Sequence, residues 1–296
     1  MHPQRLAEPV LISGHGPLGF RTDLVLRPID LPGWSIQFAS MQGDSLKSPL
    51  WMGVVSHRLI PSSIELAYYV GGKKHTLRIA EHLLALREGM GLYDGVLVVV
   101  GKHGIPFTGH AGHCMERVHP VLKPVTSPTQ CWTTNDTIGP IKTTNRRGFV
   151  EFVPSNTGVL QLVVSIDYPQ YPGVGAQEYT WISDKNAFEE VAWTRGELKR
   201  MFQWPVHMSE RLGWPHAWDF ADITRMPADK WASNVVRHRG LDLLGELGLV
   251  TRTGHLSGTC YCRRAGHREV LQLIRKMRQT LVEVRIPARA TKESVV

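Results

Sequence analysis

The sequence has few cysteines and no framework for disulfides or structural zinc. Its 296 residues include 4 cysteines, and none forms a C-x-x-C motif. Cys260 and Cys262 could place two sulfurs on one face of a strand, but no second pair exists to complete a tetrahedral site. We therefore expect free thiols in a reducing compartment, and the cytoplasm is the expected location.

Long hydrophobic runs are also missing. The N-terminal residues MHPQRLAEP contain no apolar stretch like that of a secretory signal, and no segment approaches the roughly 20 apolar residues of a membrane span. We expect no stable membrane insertion. With 42% hydrophobic and 20% charged residues, the composition is that of a globular protein, long enough for two domains.

The charge balance favours an anionic partner. The formal net charge is +8, but the basic residues are scattered in short pairs, without a long basic run or a known nucleic-acid module. A small molecule that carries phosphate therefore competes well with nucleic acid, and we expect a small-molecule substrate and no nucleic acid. Nothing in the sequence indicates an oligomeric state.

The most informative stretch covers residues 235–246. At 3.6 residues per turn, His238, Asp242 and Glu246 share one face of a helix whose other faces are mostly apolar. Two basic residues of the stretch are expected to face solvent: Arg237 and Arg239. Burying imidazole and carboxylates is costly unless they pair or bind a metal. By itself, the pattern also fits a satisfied His–Asp pair in a core.

Hydrophobic periodicity predicts an α+β fold. Strands are expected near 10–12, 24–26, 35–38, 51–55, 64–70, 94–100, 148–152, 159–166, 178–182 and 256–261. Helices are expected at 78–90, at 187–202 with Asp184 as N-cap, around 235–246, and at 269–281. We expect an N-terminal domain at 1–120, a Pro- and Thr-rich linker at 121–140, a C-terminal domain at 141–287 and a flexible tail at 288–296.

His82 lies on the apolar face of the first predicted helix. Ile79, Leu86 and Met90 share that face. An isolated histidine in such a place is usually a core residue bonded to a backbone carbonyl, so the helix alone does not indicate a ligand.

Three segments, in this order and spacing, resemble the UDP-3-O-acyl-N-acetylglucosamine deacetylase family, zinc amidases of lipid A synthesis. They are Ala80-Glu81-His82-Leu83, then Val236-Arg237-His238-Arg239-x-Leu241-Asp242-x-x-Gly245, and Gly266-His267. Further matches extend over most of the chain: LVLRP at 24–28, GIP at 104–106 and IDYP at 166–169. The resemblance implies two similar two-layer α/β sandwich domains, each a sheet packed on helices, with the metal site between them.

The resemblance also assigns a metal site. His82, His238 and Asp242 match the zinc ligands, and Glu81 matches the general base. Two imidazoles and one carboxylate leave a fourth position for water, as in catalytic zinc sites. The same donors suit Fe²⁺, which stays an alternative to Zn²⁺. Without the family, Glu81 would be an ordinary helix carboxylate.

Four more residues match catalytic positions of the family. His267 matches a histidine that stabilises the oxyanion and donates a proton to the leaving amine. Glu246 occupies the position of a family aspartate that orients this histidine. Arg239 occupies the position of a family lysine. Thr194 matches a hydroxyl that supports the tetrahedral intermediate. For each, a salt bridge or helix cap is the alternative.

The sequence departs from the family on the substrate side. Arg264 matches a basic position near the nucleotide phosphates, but Arg195 and Glu197 stand where apolar aromatic residues line a passage for an acyl chain. Arg195 and Arg264 are the expected substrate-binding residues. The family's N-terminal histidine signature is altered to GHGPL at 14–18, and an acidic residue expected after Pro106 is missing. Charges in a lipid tunnel would be left unpaired, so a long acyl chain fits poorly.

These observations predict a zinc-dependent N-deacetylase, a hydrolase of a linear amide bond. Its expected substrate is an acetamido-sugar on a nucleotide or nucleoside, without a long acyl chain, in a specialised pathway such as antibiotic biosynthesis. The alternative within the class is the lipid A enzyme. Two alternatives lie outside the enzyme class. One is a non-catalytic zinc protein that binds a sugar nucleotide, and the other, suggested by the charge alone, is a nucleic-acid binder.

Overall fold

Two five-stranded sheets and one long helix organise the chain. The computed structural model describes residues 3–15, 21–39, 48–59, 62–70, 72–101, 104–105, 111–126, 130–145, 147–169, 174–194, 197–198, 218–219 and 228–284. Within them the chain forms a mixed α/β fold with several sheets and few helices.

The helices are α1 (Ala80–Gly89), α2 (Ala111–Val118), α3 (Glu189–Ala192), α4 (Ala228–Leu247) and α5 (His267–Met277). The strands of the first half are β1 (Gln4–Leu6), β2 (Val10–His15), β3 (Arg21–Pro28), β4 (Trp34–Phe38), β5 (Ser48–Pro49), β6 (Val54–Leu59), β7 (Ser62–Val70), β8 (Lys73–Arg78), β9 (Val96–Val100) and β10 (Leu122–Pro124). Those of the second half are β11 (Cys131–Thr134), β12 (Ile138–Lys142), β13 (Phe149–Pro154), β14 (Leu160–Tyr168), β15 (Gly175–Ile182), β16 (Glu197–Leu198), β17 (Trp218–Asp219), β18 (His255–Leu256), β19 (Gly258–Arg263) and β20 (Leu281–Val284).

The two large sheets share one topology. Their strand orders are β2-β3-β9-β4-β5 and β12-β13-β19-β14-β15. In each, one pair is parallel, β4 with β9 and β14 with β19, and the other neighbours are antiparallel. The smaller sheets are β6-β7-β8, β18-β11-β20, β1-β10 and β16-β17.

Alternating side chains explain how β14 faces the core. Leu160, Leu162, Val164 and Ile166 are buried, whereas the residues between them are partly exposed. This period of two is typical of a strand with one face on a hydrophobic layer. Helix α4 packs against β14 and β15, and also contacts α1, α3 and α5. The second five-stranded sheet thus packs against α4.

Helix α4 is buried along its second half, as its nearly continuous apolar surface predicts. Leu241, Leu243, Leu244 and Leu247 are each fully buried. None of the described helices is long and apolar enough to cross a membrane.

The helix predicted at 187–202 is wrong within the described residues beyond its first turn, and residues 195–196 and 199–202 lie outside them. Helix α3 ends at Ala192, and the amide of Thr194 donates a hydrogen bond to the carbonyl of Val191. Strand β16 follows at Glu197–Leu198, and Phe188 rather than Asp184 is the N-cap residue. The hydrophobic periodicity predicts a helix here, but Glu197–Leu198 pairs with β17 instead.

The last helix is displaced relative to its predicted bounds of 269–281. It begins at His267 because Glu269 accepts the amide hydrogen of Gly266 at 3.1 Å and closes the first turn. It ends at Met277, and Leu281 belongs to β20, which pairs with β11.

The predicted linker at 121–140 contributes strands. It contains β10, which pairs with β1, β11, which pairs with β18 and β20, and the start of β12. The division into domains at 1–120 and 141–287 stays a prediction, and the expected tail at 288–296 lies outside the described residues.

Candidate metal centre

Helix α1 presents Glu81 and His82 to the interior. It begins directly after Ile79, whose φ of 57° lies in the left-handed region. Such a conformation is uncommon for a β-branched residue. The turn redirects the chain from β8 into a helix that packs against α4, so the two residues that follow Ala80 face that helix.

Helix α4 supplies two donors from successive turns. Nε2 of His82 lies 3.3 Å from Oδ1 of Asp242, and Nε2 of His238 lies 3.6 Å from the same oxygen. One donor atom from each of the three residues lies within 4.8 Å of the others. The structure therefore brings together the three residues that the sequence predicts as ligands, and this group could hold a metal ion.

The protonation states of the α4 residues fit metal binding. Burial lowers the pKa of His238 to about 4. Burial raises the pKa of Asp242, but His238 and His82 more than offset this and hold it well below its ordinary value. A neutral imidazole and an ionised carboxylate are the forms that coordinate a metal. Burial lowers the pKa of His82, but its hydrogen bond to Asp242 and the nearby carboxylates more than offset this, and the net shift is upward.

Glu81 lies beside the donors without joining them. Its side chain is buried, and Oε2 accepts the amide hydrogen of Ile64 at 3.0 Å. Burial raises its pKa to about 7, against the opposing effect of His82 and His267. A carboxylate that titrates near neutral pH, beside a group that could hold a metal ion, suits a general base.

A second carboxylate, Glu246, holds His267. Nδ1 of His267 lies 2.6 Å from Oε1 of Glu246, and both side chains are buried. Burial lowers the pKa of His267, but the carboxylate more than compensates and raises it to about 9. His267 is therefore a cation at neutral pH, in position to act as an acid beside Glu81 and Asp242.

The prediction that Arg239 faces solvent is wrong. Its side chain is only 13% exposed, and Nη1 lies 3.3 Å from Oε2 of Glu246 and 3.7 Å from Oδ2 of Asp242. Nε donates to the carbonyl of Ala265 at 3.1 Å, and Nη2 contacts the sulfur of Cys262. Two carboxylates one turn apart on α4, together with acceptors from β19 and the residues that follow it, draw the guanidinium inward.

Arg237, the other residue expected in solvent, is only partly exposed. Its guanidinium carbon lies 5.5 Å from the centre of the Tyr179 ring, in cation–π contact.

Thr194 and Arg264 are engaged by neighbours. The hydroxyl of Thr194 donates to the carbonyl of Val191 at 2.5 Å, and its backbone lies close enough to His238 to favour the protonated imidazole. Arg264 has a φ of 47°, and its guanidinium pairs with Asp167. Arg195 lies outside the described residues.

Two contacts at the site carry no signal in the sequence. The amide that holds Glu81 comes from a backbone position, Ile64, which any residue could supply. Arg87, 1% exposed, ties α1 to the chain beyond α4, donating to the carbonyls of Gly248 at 2.9 Å and Gly254 at 2.7 Å. A fully buried arginine on the same helix as Glu81 and His82 could have been recognised only from tertiary contacts.

Comparison with known families agrees with the resemblance seen in the sequence. The profile described as UDP-3-O-acyl N-acetylglycosamine deacetylase matches residues 4–279, nearly the whole chain. No curated protein matches the chain significantly. Because the matched range includes every described residue of the site, the chain belongs to the UDP-3-O-acyl N-acetylglycosamine deacetylase family.

Proposed function

We propose that this protein is a zinc-dependent deacetylase that removes the N-acetyl group from an acetamido-sugar carried on a nucleotide or nucleoside. The observation that carries the proposal is the convergence of His82, His238 and Asp242, with Glu81 beside them and the His267–Glu246 pair nearby. Membership of a deacetylase family supports the same reaction.

The three donors fit zinc by their chemistry, and Fe²⁺ stays the alternative. When bound, zinc supplies Lewis-acid polarisation of the amide carbonyl and makes a neighbouring water more acidic. Glu81 takes the proton from the attacking water. His267 in its protonated form donates a proton to the nitrogen of the leaving amine, so acetate and a free amine are the products.

Three further residues act on the carbonyl oxygen and the substrate phosphates. The hydroxyl of Thr194 donates to the oxygen that gains charge, which requires that it rotate away from the carbonyl of Val191. Arg264 and Arg195 bind phosphate, and the net charge of +8 favours an anionic substrate. Arg239 acts indirectly, through its contacts with Asp242 and Glu246.

The substrate side of the proposal comes from the sequence. Arg195 and Glu197 follow Thr194 where the family has apolar residues, and Lys199 and Arg200 continue the charged run. An acyl chain laid against these groups would strip them of water without offering partners. The proposed substrate therefore lacks a long 3-O-acyl chain, in keeping with a specialised pathway such as antibiotic biosynthesis.

We also propose that the chain forms two similar two-layer domains with the metal site between them. The identical order and direction of the two five-stranded sheets supports this division. So does the origin of the ligands, since His82 comes from the first half of the chain and His238 and Asp242 come from the second.

The test is to offer one zinc-loaded preparation UDP-N-acetylglucosamine and its 3-O-acyl derivative and to measure the acetate released. We expect a higher kcat/KM for the substrate without the acyl chain. A higher value for the acylated substrate would refute the proposed specificity and favour the lipid A reaction, which the family's name supports. Zinc binding without release of acetate from either would favour a non-catalytic sugar-nucleotide-binding protein.

A further inference from the structure

We infer that Gly245 is a positioning residue for the metal centre: its missing side chain lets α4 approach α1 closely enough for His82 to join His238 and Asp242. The inference rests on the metal site of the proposed function and adds a residue that supplies no ligand.

Gly245 lies against the peptide that carries His82. A Cβ atom built on Gly245 would overlap the carbonyl oxygen of Glu81 and lie 2.6 Å from its carbonyl carbon. Real Cβ atoms are essentially never found within 3.0 Å of another heavy atom. This carbonyl belongs to the peptide bond between Glu81 and His82. Because the obstacle is backbone inside a helix, it cannot rotate away as a side chain could.

The same glycine follows Asp242 by three residues on α4. Gly245 therefore lies within one helical turn of Asp242 on α4 and directly against the peptide of His82 on α1. The separation of the two helices is fixed at this point. Any side chain here must push the backbones apart by on the order of an ångström, given the usual separation of non-bonded atoms. Zinc ligand distances tolerate only about 0.2 Å. His82 would then lose contact with an ion held by His238 and Asp242.

Two other glycines provide a graded comparison. A Cβ on Gly248 would lie 3.1 Å from the carbonyl oxygen of Gly245 and 3.3 Å from that of Leu84, so its neighbours must give way by a few tenths of an ångström. A Cβ on Gly240 would lie 3.4 Å from the ring of Tyr179, an ordinary contact. Gly240 and Gly245 are both inside α4, so alanine raises helix propensity equally at each.

The experiment measures zinc affinity by competition with a chromophoric chelator for the wild type, G240A, G248A and G245A. We expect G240A to match the wild type within about 3-fold and G248A to lose a smaller factor than G245A. The expected loss for G245A is at least the 10- to 100-fold typical of residues that orient metal ligands. Circular dichroism of the metal-free forms reports whether each variant is folded.

A purely structural role would lower the thermal stability of metal-free G245A while leaving the zinc affinity of the folded protein unchanged, and that result would overturn the inference. Removing His82 separates the two roles again. In an H82A background we expect G245A to cost little further affinity, because the ligand that it displaces is already gone. An undiminished further loss would also overturn the inference.

If G245A does not fold, the comparison of G248A with G240A decides. G248A also crowds the contact between α4 and α1, at the carbonyl of Leu84, so it should bind zinc more weakly than G240A. Equal zinc affinities in these two variants would overturn the inference. Its failure is distinguishable from that of the proposed function. A wild type that binds zinc but releases no acetate refutes the function and leaves Gly245 in its role. A wild type that binds no zinc refutes the metal centre and the inference together.

Discussion

Glu246 places a fully buried carboxylate 2.6 Å from Nδ1 of His267. Its other oxygen lies 3.3 Å from Nη1 of Arg239. The carboxylate is thus held between two cations, and Arg239 also reaches Asp242. Charges of alternating sign therefore connect the proposed acid to a proposed ligand.

Replacing Glu246 should change the pH dependence of catalysis. In E246Q, burial still lowers the pKa of His267 while the main charge that opposes burial is gone, so this pKa should fall well below about 9. Because the protonated form is the acid, activity on the basic side should be lost at lower pH than in the wild type. The measurement is kcat/KM from pH 5 to 10.

E246D is the matched control for this profile, since it keeps the charge. We expect its basic limb to stay near that of the wild type, with a lower maximum because the shorter side chain reaches His267 less well. A basic limb at the same pH in E246Q and E246D would contradict the assigned role of Glu246.

Glu81 should be needed for catalysis and not for metal binding. E81Q keeps the shape of the side chain, and we expect kcat to fall by about 10²- to 10⁴-fold, the usual contribution of a general base. Zinc content, measured by atomic emission, should match that of the wild type because Glu81 stands outside the donor group. Zinc loss in E81Q, or activity within about 10-fold of the wild type, would contradict this role.

The same carboxylate predicts the acid limb of the wild-type profile. The base must be ionised, so activity should rise with pH as Glu81 loses its proton. Burial raises the pKa of Glu81 to about 7, and a neighbouring metal cation would lower it again. We therefore expect the midpoint of the acid limb at or below pH 7, and a midpoint well above this value would contradict the assignment.

Arg239 should stabilise the fold as well as the site. R239M leaves Glu246 and Asp242 without their shared cation, and removing one partner of a buried ion pair typically costs about 3 to 5 kcal/mol. R239K keeps the positive charge but lacks the guanidinium, which also donates to the carbonyl of Ala265. We therefore expect a smaller loss in the free energy of unfolding than for R239M. Urea unfolding at pH 7 measures both free energies. A cost below about 1 kcal/mol for R239M would show that Arg239 does not neutralise the two carboxylates.

Arg239 also shows where sequence reasoning stops. The spacing of His238, Asp242 and Glu246 predicts their shared face, because helical period is a local property. The direction of Arg239 depends on Ala265 and Cys262, which reach it only through the fold of the second sheet. His82 was recognisable only through the family resemblance, since its own helix makes it look like a core histidine.

The errors in secondary structure have a related cause. The helix predicted beyond Ala192 has helix-forming residues, but Glu197–Leu198 pairs in parallel with Trp218–Asp219, a contact between segments far apart in the sequence. The burial pattern of β14 was predictable because its alternation is complete within the strand. Features encoded within a few turns of chain could be predicted, whereas those that need a distant partner could not.

Arg264 provides a test of whether the substrate carries phosphate. Its pairing with Asp167 fixes the side chain, and its left-handed backbone is equally strained for any unbranched residue, so R264M removes the charge without altering the strain. We expect R264M to raise KM for a UDP-linked acetamido-sugar by about 10-fold, one lost charge-assisted contact, with kcat nearly unchanged. The control is the same sugar on a nucleoside without phosphate, for which the wild type and R264M should have equal KM. An equal increase for both substrates would mean that Arg264 shapes the site through Asp167 and does not bind phosphate, and the nucleoside would then be the better candidate for the natural substrate.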